Sequence, residues 1–317
     1  MISAAIGKTL AGALTKPQPM LTPCPAPGVT AVVVSYHPDA DSLAALLVAL
    51  AEQVQQVIVV DNASPELPRL PAGIELIRLD RNLGIGAAQN VGIRMALQAG
   101  AGQVLLLDQD SLPQPGMVTA LQGALQAAAA AGQRPAAAGP LIVDEGGRSE
   151  GFVRFRRGRY EAIAPAAGQD RVDCDLLIAS GTLIPAAALQ AIGEMDEGLF
   201  IDKVDTEWCL RATAAGWHLV GAPAARLRHR LGQRQIRLWF FGWRRLALHA
   251  PFRYYYIWRN GLLLRRLPHA TAAWRRADAR QLLSVLLYFG LLAPGRLERL
   301  GMMRRGLRDG WRGRYGR

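Results

Sequence analysis

Four short, strongly apolar segments alternate with stretches of helical periodicity in the first third of the chain. The segments are residues 30–35, 57–60, 74–79 and 103–107, and most of them are rich in valine, isoleucine or leucine. Strands this apolar, separated by helices, are typical of a parallel sheet that helices cover on both faces. The sequence therefore predicts an α/β fold with a mostly parallel sheet flanked by helices.

Polar residues follow these apolar segments at the point where each predicted strand ends. In an open α/β sheet, ligands bind beyond the carboxyl ends of the strands. We therefore expect one crevice there, lined by His37, Asp61, Asn62, Asn82, Asp108 and Asp110.

The sequence Asp108-Gln109-Asp110-Ser111 directly follows an apolar strand and carries the strongest chemical signal. Two carboxylates two residues apart can hold a hard divalent cation, which in turn clamps a diphosphate. The structural alternative for an isolated D-x-D is a turn or a helix cap. Its position after the fourth predicted strand favours the metal interpretation.

Two further segments suggest nucleotide contacts. Asp61 could accept the imino proton of a pyrimidine base while Ser64 caps the following turn, although capping is the better explanation of this segment when it is taken alone. Residues 82–92 (NLGIGAAQNVG) could bring backbone close to phosphate or ribose. A dinucleotide fingerprint is not favoured, because Gln89 replaces its third glycine and the segment follows the third strand.

A second acidic group lies in residues 200–216 (FIDKVDTEWCLRATAAG). Asp202 and Asp205 share a helix face at i, i+3, so one could be held in place while the other abstracts a proton. Solvated acids at a helix start are the alternative for these two residues and for Glu207. His229 stands alone, and a lone histidine is more often structural than a ligand.

The last 92 residues differ sharply in charge from the rest. Residues 226–317 hold 22 basic and 3 acidic residues, whereas residues 1–225 hold 15 basic and 22 acidic ones. Of 21 aromatic residues, 14 lie in this basic part. Arginines interleaved with aromatic rings in residues 239–245 and 254–260, together with the apolar and aromatic run at 282–292, suit helices in an anionic membrane interface. A basic helical subdomain that packs on the rest of the protein is the alternative.

The chain is expected to fall into three parts: a flexible leader over residues 1–28, a catalytic domain over 29–230, and a basic aromatic helical extension over 231–317. The apolar run at residues 282–294 is shorter than the ~20 residues needed to cross a membrane. Three scattered cysteines, Cys24, Cys174 and Cys209, indicate neither a zinc cluster nor a disulfide framework. We therefore expect a cytoplasmic protein that is peripheral on the inner face of the plasma membrane.

Taken together, these motifs resemble a known family. The set VVVSYHPD, VIVVDNAS, NLGIGAAQNVGI, LLLDQDS, LIASGTLIP and FIDKVDTEWCLRA, followed by HRLG and YYYIWRN, is similar to the family 2 inverting glycosyltransferases of GT-A, Rossmann-like fold. Within them it resembles bacterial rhamnosyltransferases that build O-antigen and related surface polysaccharides. The resemblance runs from Val29 to about Arg266.

The resemblance implies an inverting, metal-dependent transfer of L-rhamnose from dTDP-L-rhamnose to a glycan or polyprenyl-linked acceptor, with Mn or Mg as cofactor. Asp205 resembles the catalytic base, and Glu207 is the second choice, because relatives often have Glu-Asp where this chain has Val204-Asp205. Asp108, Asp110 and His229 resemble the metal site. The expected substrate-binding residues are Tyr36, Asp61, Asn62, Asn82, Gly86, Gln89, Asn90, Asp108 and Gln109.

Two other functions remain open at this point. One is a basic nucleic-acid-binding protein, since arginines with aromatics also suit single strands. The acidic first part would repel a phosphate backbone, so no nucleic-acid partner is expected. The other is an inactive relative that only binds sugar nucleotides, against which the presence of Asp108, Asp110, Asp205 and His229 argues.

Overall fold

The protein is described from a computed structural model, which places residues 26–144, 149, 151–229, 234–239 and 243–317. The predicted leader lies almost wholly outside the described residues. Strands and helices alternate in the first half as expected: β1 Ala26–Ser35, α1 Ala40–Ala51, β2 Val54–Asp61, β3 Glu75–Arg78, α2 Ile85–Gln98, β4 Gln103–Asp108, β5 Ser111–Pro113 and α3 Met117–Ala130.

The described middle of the chain adds six strands and two helices. They are β6 Pro135–Val143, β7 Phe152–Arg156, β8 Arg159–Ile163, β9 Val172–Cys174, β10 Thr182–Pro185, α4 Ala186–Ile192, α5 Val204–Ala214 and β11 His218–His229. A single 3-10 turn, Glu197–Leu199, precedes α5.

The sheet has nine strands in the described part of the chain, in the order β3-β2-β1-β4-β10-β6-β11-β5, with β9 also on β11. Strands β1 to β4, β6 and β11 point the same way, while β5, β9 and β10 run antiparallel to their neighbours. The prediction of a mostly parallel sheet is confirmed. The strand order reverses beside β1, which is where such sheets open a ligand crevice.

Both faces of the sheet are covered, as the apolar strands predict. In β1, Val32 and Val34 pack on the side of α2 and α5, whereas Ala31 and Val33 pack on the side of α1 and α3. Successive residues of a strand point to opposite faces, so each central strand needs apolar residues at nearly every position. This explains why the segments of β1, β2 and β4 read as continuous apolar runs, whereas the edge strand β3 includes Glu75 and Arg78.

The basic extension is helical only from Pro251 onward. It consists of α6 Pro251–Arg265, α7 Ala272–Val285, a π-helical stretch Leu286–Leu292 and α8 Arg296–Trp311. Before these helices, β12 Arg234–Trp239 and β13 Trp243–Leu248 form an antiparallel hairpin. The expectation of helix over residues 239–245 is therefore wrong where those residues are described.

Helices α6 and α7 share the core of the sheet domain. Leu263, Leu264 and Trp274 belong to the same buried cluster as Val32 and Leu106. The aromatic run at 254–260 is largely buried, with Tyr254 0% and Tyr256 6% exposed. This stretch packs on protein rather than lying in a membrane interface, as the alternative stated above anticipated. None of the helices in the described ranges is both long enough and apolar enough to span a membrane.

Candidate functional site

The ends of β2, β1 and β4 lie side by side and carry the predicted polar residues. Ser35 of β1 pairs with Asp61 of β2, and Val34 of β1 pairs with Asp108 of β4. Neighbouring strands are about 4.8 Å apart, so Asp61 and Asp108 flank the end of β1 from either side. The structure thus forms the crevice edge that the sequence predicts.

The D-x-D turn after β4 is held rigidly by side-chain contacts. The Asp108 backbone N–H donates to Ser180 Oγ at 3.1 Å, and Ser111 Oγ lies 2.6 Å from the same oxygen. Gln109 bridges to β1: its Oε1 accepts from the Tyr36 N–H at 2.7 Å and its Nε2 donates to the Tyr36 carbonyl at 3.2 Å. Asp110 is exposed and Asp108 half-buried.

His229 ends β11 at the same edge of the sheet. Its backbone pairs with Ser111, the residue after Asp110, so the strand brings it next to the D-x-D turn although 118 positions of chain separate it from Ser111. Its side chain lies outside the described part. Among the side chains that are described, no three His, Cys, Asp or Glu residues converge closely enough to hold a metal ion.

Asp61 is fully buried, and its carboxylate is occupied by protein donors. Oδ1 accepts from Ser35 Oγ at 3.0 Å and from Ser64 Oγ at 2.6 Å, and Oδ2 accepts from the Ser64 N–H at 2.8 Å. Ser64 Oγ also accepts from the His37 N–H. In this conformation Asp61 fixes the turn after β2, and its predicted contact with a nucleobase stays a prediction.

The glycine segment forms a wall of the crevice. Asn62 holds it through its Oδ1, which accepts from the Leu83 N–H at 2.9 Å, while its Nδ2 donates to Asn82 Oδ1 at 3.2 Å. At Gly84, where φ is +91°, a Cβ would lie 2.4 Å from the Phe200 carbonyl oxygen. Only glycine allows this segment to touch the loop that leads into α5.

Three residues predicted to bind substrate lie instead behind that wall. A Cβ on Gly86 would be 3.1 Å from the Asp196 carbonyl, so this glycine allows close packing of α2 on the loop before α5. Asn90 is buried and exchanges two hydrogen bonds with the Met195 backbone. Gln89 is 2% exposed. Contact of these three with a ligand is not visible in the geometry and stays a prediction.

Two of the three acids near the start of α5 are neutralised by basic side chains. The Asp202 carboxylate accepts from Arg253, at 2.5 Å for Nη2 and 3.2 Å for Nε. Glu207 is 3% exposed and accepts from Arg211 Nε at 2.9 Å and Nη2 at 2.8 Å, with His269 Nε2 also 3.0 Å away. These contacts give Glu207 an anchoring role, and its assignment as an alternative base stays a prediction that they do not favour.

Asp205 differs from both, because none of the basic side chains that the structure describes pairs with it. Among the described residues its Oδ1 accepts from Thr206, from the backbone N–H at 2.7 Å and the hydroxyl at 3.3 Å. Burial raises the pKa of Asp205, and the Thr206 N–H opposes that effect. A half-buried carboxylate that lacks a basic partner and has a raised pKa has the properties of a general base.

The loop before α5 has an unusual backbone. Phe200, Asp202 and Lys203 all have left-handed φ angles of 64° to 65°, which costs a non-glycine residue of order 1–3 kcal/mol each unless the surroundings enforce it. This backbone could not be predicted from the sequence, because residues 200–203 include neither glycine nor asparagine.

Hydrogen bonds from helix α6 hold the loop in this conformation. Asn260 is fully buried, and its Nδ2 donates toward three carbonyl oxygens, those of Leu199, Ile201 and Asp202, at 2.7–2.9 Å. The neighbouring Arg259 donates to the Leu199 carbonyl at 2.8 Å. The motif YYYIWRN contains both residues, and the signal available in the sequence was an Arg-Asn pair inside a run of aromatic and apolar residues.

Ion pairs connect the same loop to the extension. Lys203 Nζ binds the Asp278 carboxylate of α7, which also accepts from Arg265 at 3.0 Å. The pKa of Arg253 is raised, chiefly by Asp202 and to a smaller extent by Asp108. Arg253 thus pairs with the loop before α5 and also interacts electrostatically with the D-x-D turn, so the two groups of acids are near each other.

Comparison with known proteins agrees with this architecture. A model described as "Glycosyl transferase family 2" matches residues 30–168. The protein named dTDP-rhamnosyl transferase RfbF from Shigella flexneri is 35% identical over 248 residues, covering 76% of this chain and 81% of that protein. The chain belongs to glycosyl transferase family 2.

Solved structures share the fold. GalNAc-T7, crystallised with UDP, GalNAc and Mn2+, gives a TM-score of 0.52 at 14% identity over 80% of this chain and 54% of that one. TarS of S. aureus gives 0.52 at 16% identity over 90% of this chain and 49% of that one. The chain thus spans about half the length of these two structures. Its fold is that of the GT-A glycosyltransferases, and the protein is a glycosyltransferase.

The hydrogen bonds from Asn260 to the loop give a first prediction. In Asn260→Asp a carboxylate of equal size would face three carbonyl oxygens that it cannot donate to. We expect a loss of about 1–3 kcal/mol in unfolding free energy and at least a ~10-fold lower transfer rate in the folded protein, since a shift of the base by about 1 Å can cost more than that.

Thermal denaturation and steady-state kinetics measure both effects. Gln98→Glu is the matched amide-to-acid control, because Gln98 is exposed at the end of α2. An Asn260→Asp protein as stable and active as this control would show that the loop does not depend on Asn260.

Proposed function

We propose that the chain transfers L-rhamnose from dTDP-L-rhamnose, with inversion, to a hydroxyl of a glycan or polyprenyl-linked acceptor in bacterial surface polysaccharide synthesis. The 35% identity to the dTDP-rhamnosyl transferase of Shigella flexneri supports the donor. The observation that carries the reaction type is the state of Asp205. Its carboxylate has no basic partner among the described residues, whereas Asp202 and Glu207 are paired with arginines.

The donor nucleotide would lie across the end of β1. Tyr36 has a 44% exposed ring at this edge, suited to stacking on a base, and the Gln109 amide fixes its backbone. Asn62 and Asn82 shape the wall on the other side. Asp61 supports the floor, with the imino group of thymine as its predicted partner.

A divalent cation, Mn or Mg, fits the residues beside Asp108. Carboxylates suit these hard ions, and the ring nitrogen of a histidine is a common metal ligand in proteins. Asp108, Asp110 and His229 would hold it, because Asp110 is exposed and His229 is paired with the adjoining Ser111. When bound, the ion would neutralise negative charge on the departing nucleoside diphosphate.

The protein's own groups would complete the displacement. Asp205 takes the proton of the acceptor hydroxyl as that oxygen attacks the anomeric carbon. Arg253, which pairs with Asp202 and interacts electrostatically with Asp108, would add positive charge on the leaving-group side. One base without a second, nucleophilic carboxylate gives inversion in a single step.

A peripheral position on the inner face of the plasma membrane is part of the proposal. The buried run at 254–260 does not support this position, but the exposed surface of α8 does. Leu297 is 80% and Trp311 73% exposed, and Arg296 and Arg312 are exposed on the same helix or just after it. Apolar and basic side chains together suit anionic headgroups.

The role of Asp205 predicts the effect of two matched variants. Asp205→Asn should lower kcat by ~10²–10⁴-fold, the usual contribution of a general base, and leave the affinity for dTDP within a few fold. Glu207→Gln should mainly lower stability, because its partners Arg211 and His269 lose a charged acceptor.

Kinetics, dTDP titration and thermal denaturation of both variants separate these effects. Full activity in Asp205→Asn, or the larger catalytic loss in a folded Glu207→Gln protein, would transfer the base to another residue.

The donor class is tested by thermal stabilisation. A ligand at 100 times its Kd adds about 2.7 kcal/mol, which is several degrees at roughly 2–4 °C per kcal/mol. We expect this shift with dTDP and manganese together and its loss in Asp110→Asn. The same measurement with UDP, GDP and NAD gives the comparison, and a shift with NAD, or none with any nucleoside diphosphate, would contradict the proposal.

A further inference from the structure

A pocket of about 500 Å³ lies between α6 and α8, outside the crevice at the ends of the strands. Its volume is within the range of about 300–1,000 Å³ typical of small-molecule sites. Its wall is apolar and aromatic on one side and charged on the other. The lining residues are Phe252, Tyr255, Tyr256, Met302, Arg305, Arg308 and Asp309.

The pocket is joined to the catalytic loop through aromatic contacts. Tyr256 stacks on Phe200, with ring centroids 5.1 Å apart and planes 22° from parallel. Phe200 is the residue that contacts Gly84 and precedes Asp205 by five positions. Phe252 is adjacent in sequence to Arg253, which pairs with Asp202. The pocket is therefore one aromatic layer away from the loop that carries the base.

The charged side of the pocket contains one guanidinium without a partner. Asp309 is satisfied by Arg308 Nε at 2.9 Å and by the Tyr255 hydroxyl at 3.3 Å. Arg305 is exposed and makes no hydrogen bond or ion pair with any residue that the structure describes. Its charge is thus available for an anionic ligand, while the Arg308–Asp309 pair is already neutral.

These features fit one ligand chemistry. A free guanidinium favours phosphate oxygens, and the neighbouring ring of Phe252, 47% exposed, together with Met302 suits an apolar or sugar segment next to the phosphate. We propose that this pocket binds the acceptor through a phosphate or diphosphate group on Arg305, with the adjoining part of the acceptor on the aromatic wall. The proposal rests on the proposed function, since it supplies that reaction with its acceptor.

The donor also carries a diphosphate, so the experiment must distinguish the two sources. Geranyl diphosphate, titrated calorimetrically into the full chain saturated with dTDP and magnesium, probes the pocket while the donor site is filled. We expect binding under these conditions, with an affinity about tenfold lower in Arg305→Gln, as for loss of one charge-assisted hydrogen bond. Arg305→Lys should lie between the two.

Arg304→Gln is the matched control, because Arg304 is the adjacent exposed arginine on α8 and does not line the pocket. It should bind the probe like the unchanged protein, and dTDP affinity should be the same in Arg305→Gln. Absence of probe binding, competition between probe and dTDP, or equal losses in both arginine variants would overturn the proposal. A chain that binds no dTDP would instead refute the proposed function, and the comparison of the two variants would still decide this inference.

Discussion

The left-handed backbone at Phe200, Asp202 and Lys203 is the constraint on which the site depends. Such a segment is unfavourable by itself, and it persists because buried groups of the C-terminal helices satisfy it. Asn260 and Arg259 donate to its carbonyl oxygens, Arg253 binds the Asp202 carboxylate, and α7 binds Lys203. The basic extension is therefore part of the catalytic architecture whatever else its surface contacts.

The same contacts explain why one carboxylate stays available. Buried acids are normally paired because an unpaired buried charge is costly, and Asp202 and Glu207 follow this rule. Asp205 has no such basic partner among the described residues, and burial raises its pKa. Perturbed groups of this kind concentrate at functional sites. The neutralisation of its neighbours leaves Asp205 as the group best able to take a proton.

Much of the fold and part of the site could be predicted from sequence. The apolar runs of β1, β2 and β4 predicted where these strands end, and therefore where Asp61 and Asp108 lie. This was possible because a run of apolar residues is a local feature of the sequence. The contacts of α6 could not be read in the same way, since Asn260 meets carbonyl oxygens about 60 positions earlier and any buried amide could do so. The aromatic run at 254–260 was interpreted as membrane-facing because composition alone does not reveal which surface a helix covers. The i, i+4 spacing of Glu207 and Arg211, in contrast, could have indicated their pairing.

The most direct test of this account is an experimental structure of the chain with dTDP and manganese. It should show Asp205 with no basic side chain within 4 Å and with its free oxygen toward the space beyond the diphosphate. Asp202 and Glu207 should remain bound to Arg253 and Arg211. A structure in which Arg253 leaves Asp202 for Asp205, or in which Asp205 turns away while Glu207 is released, would contradict the account.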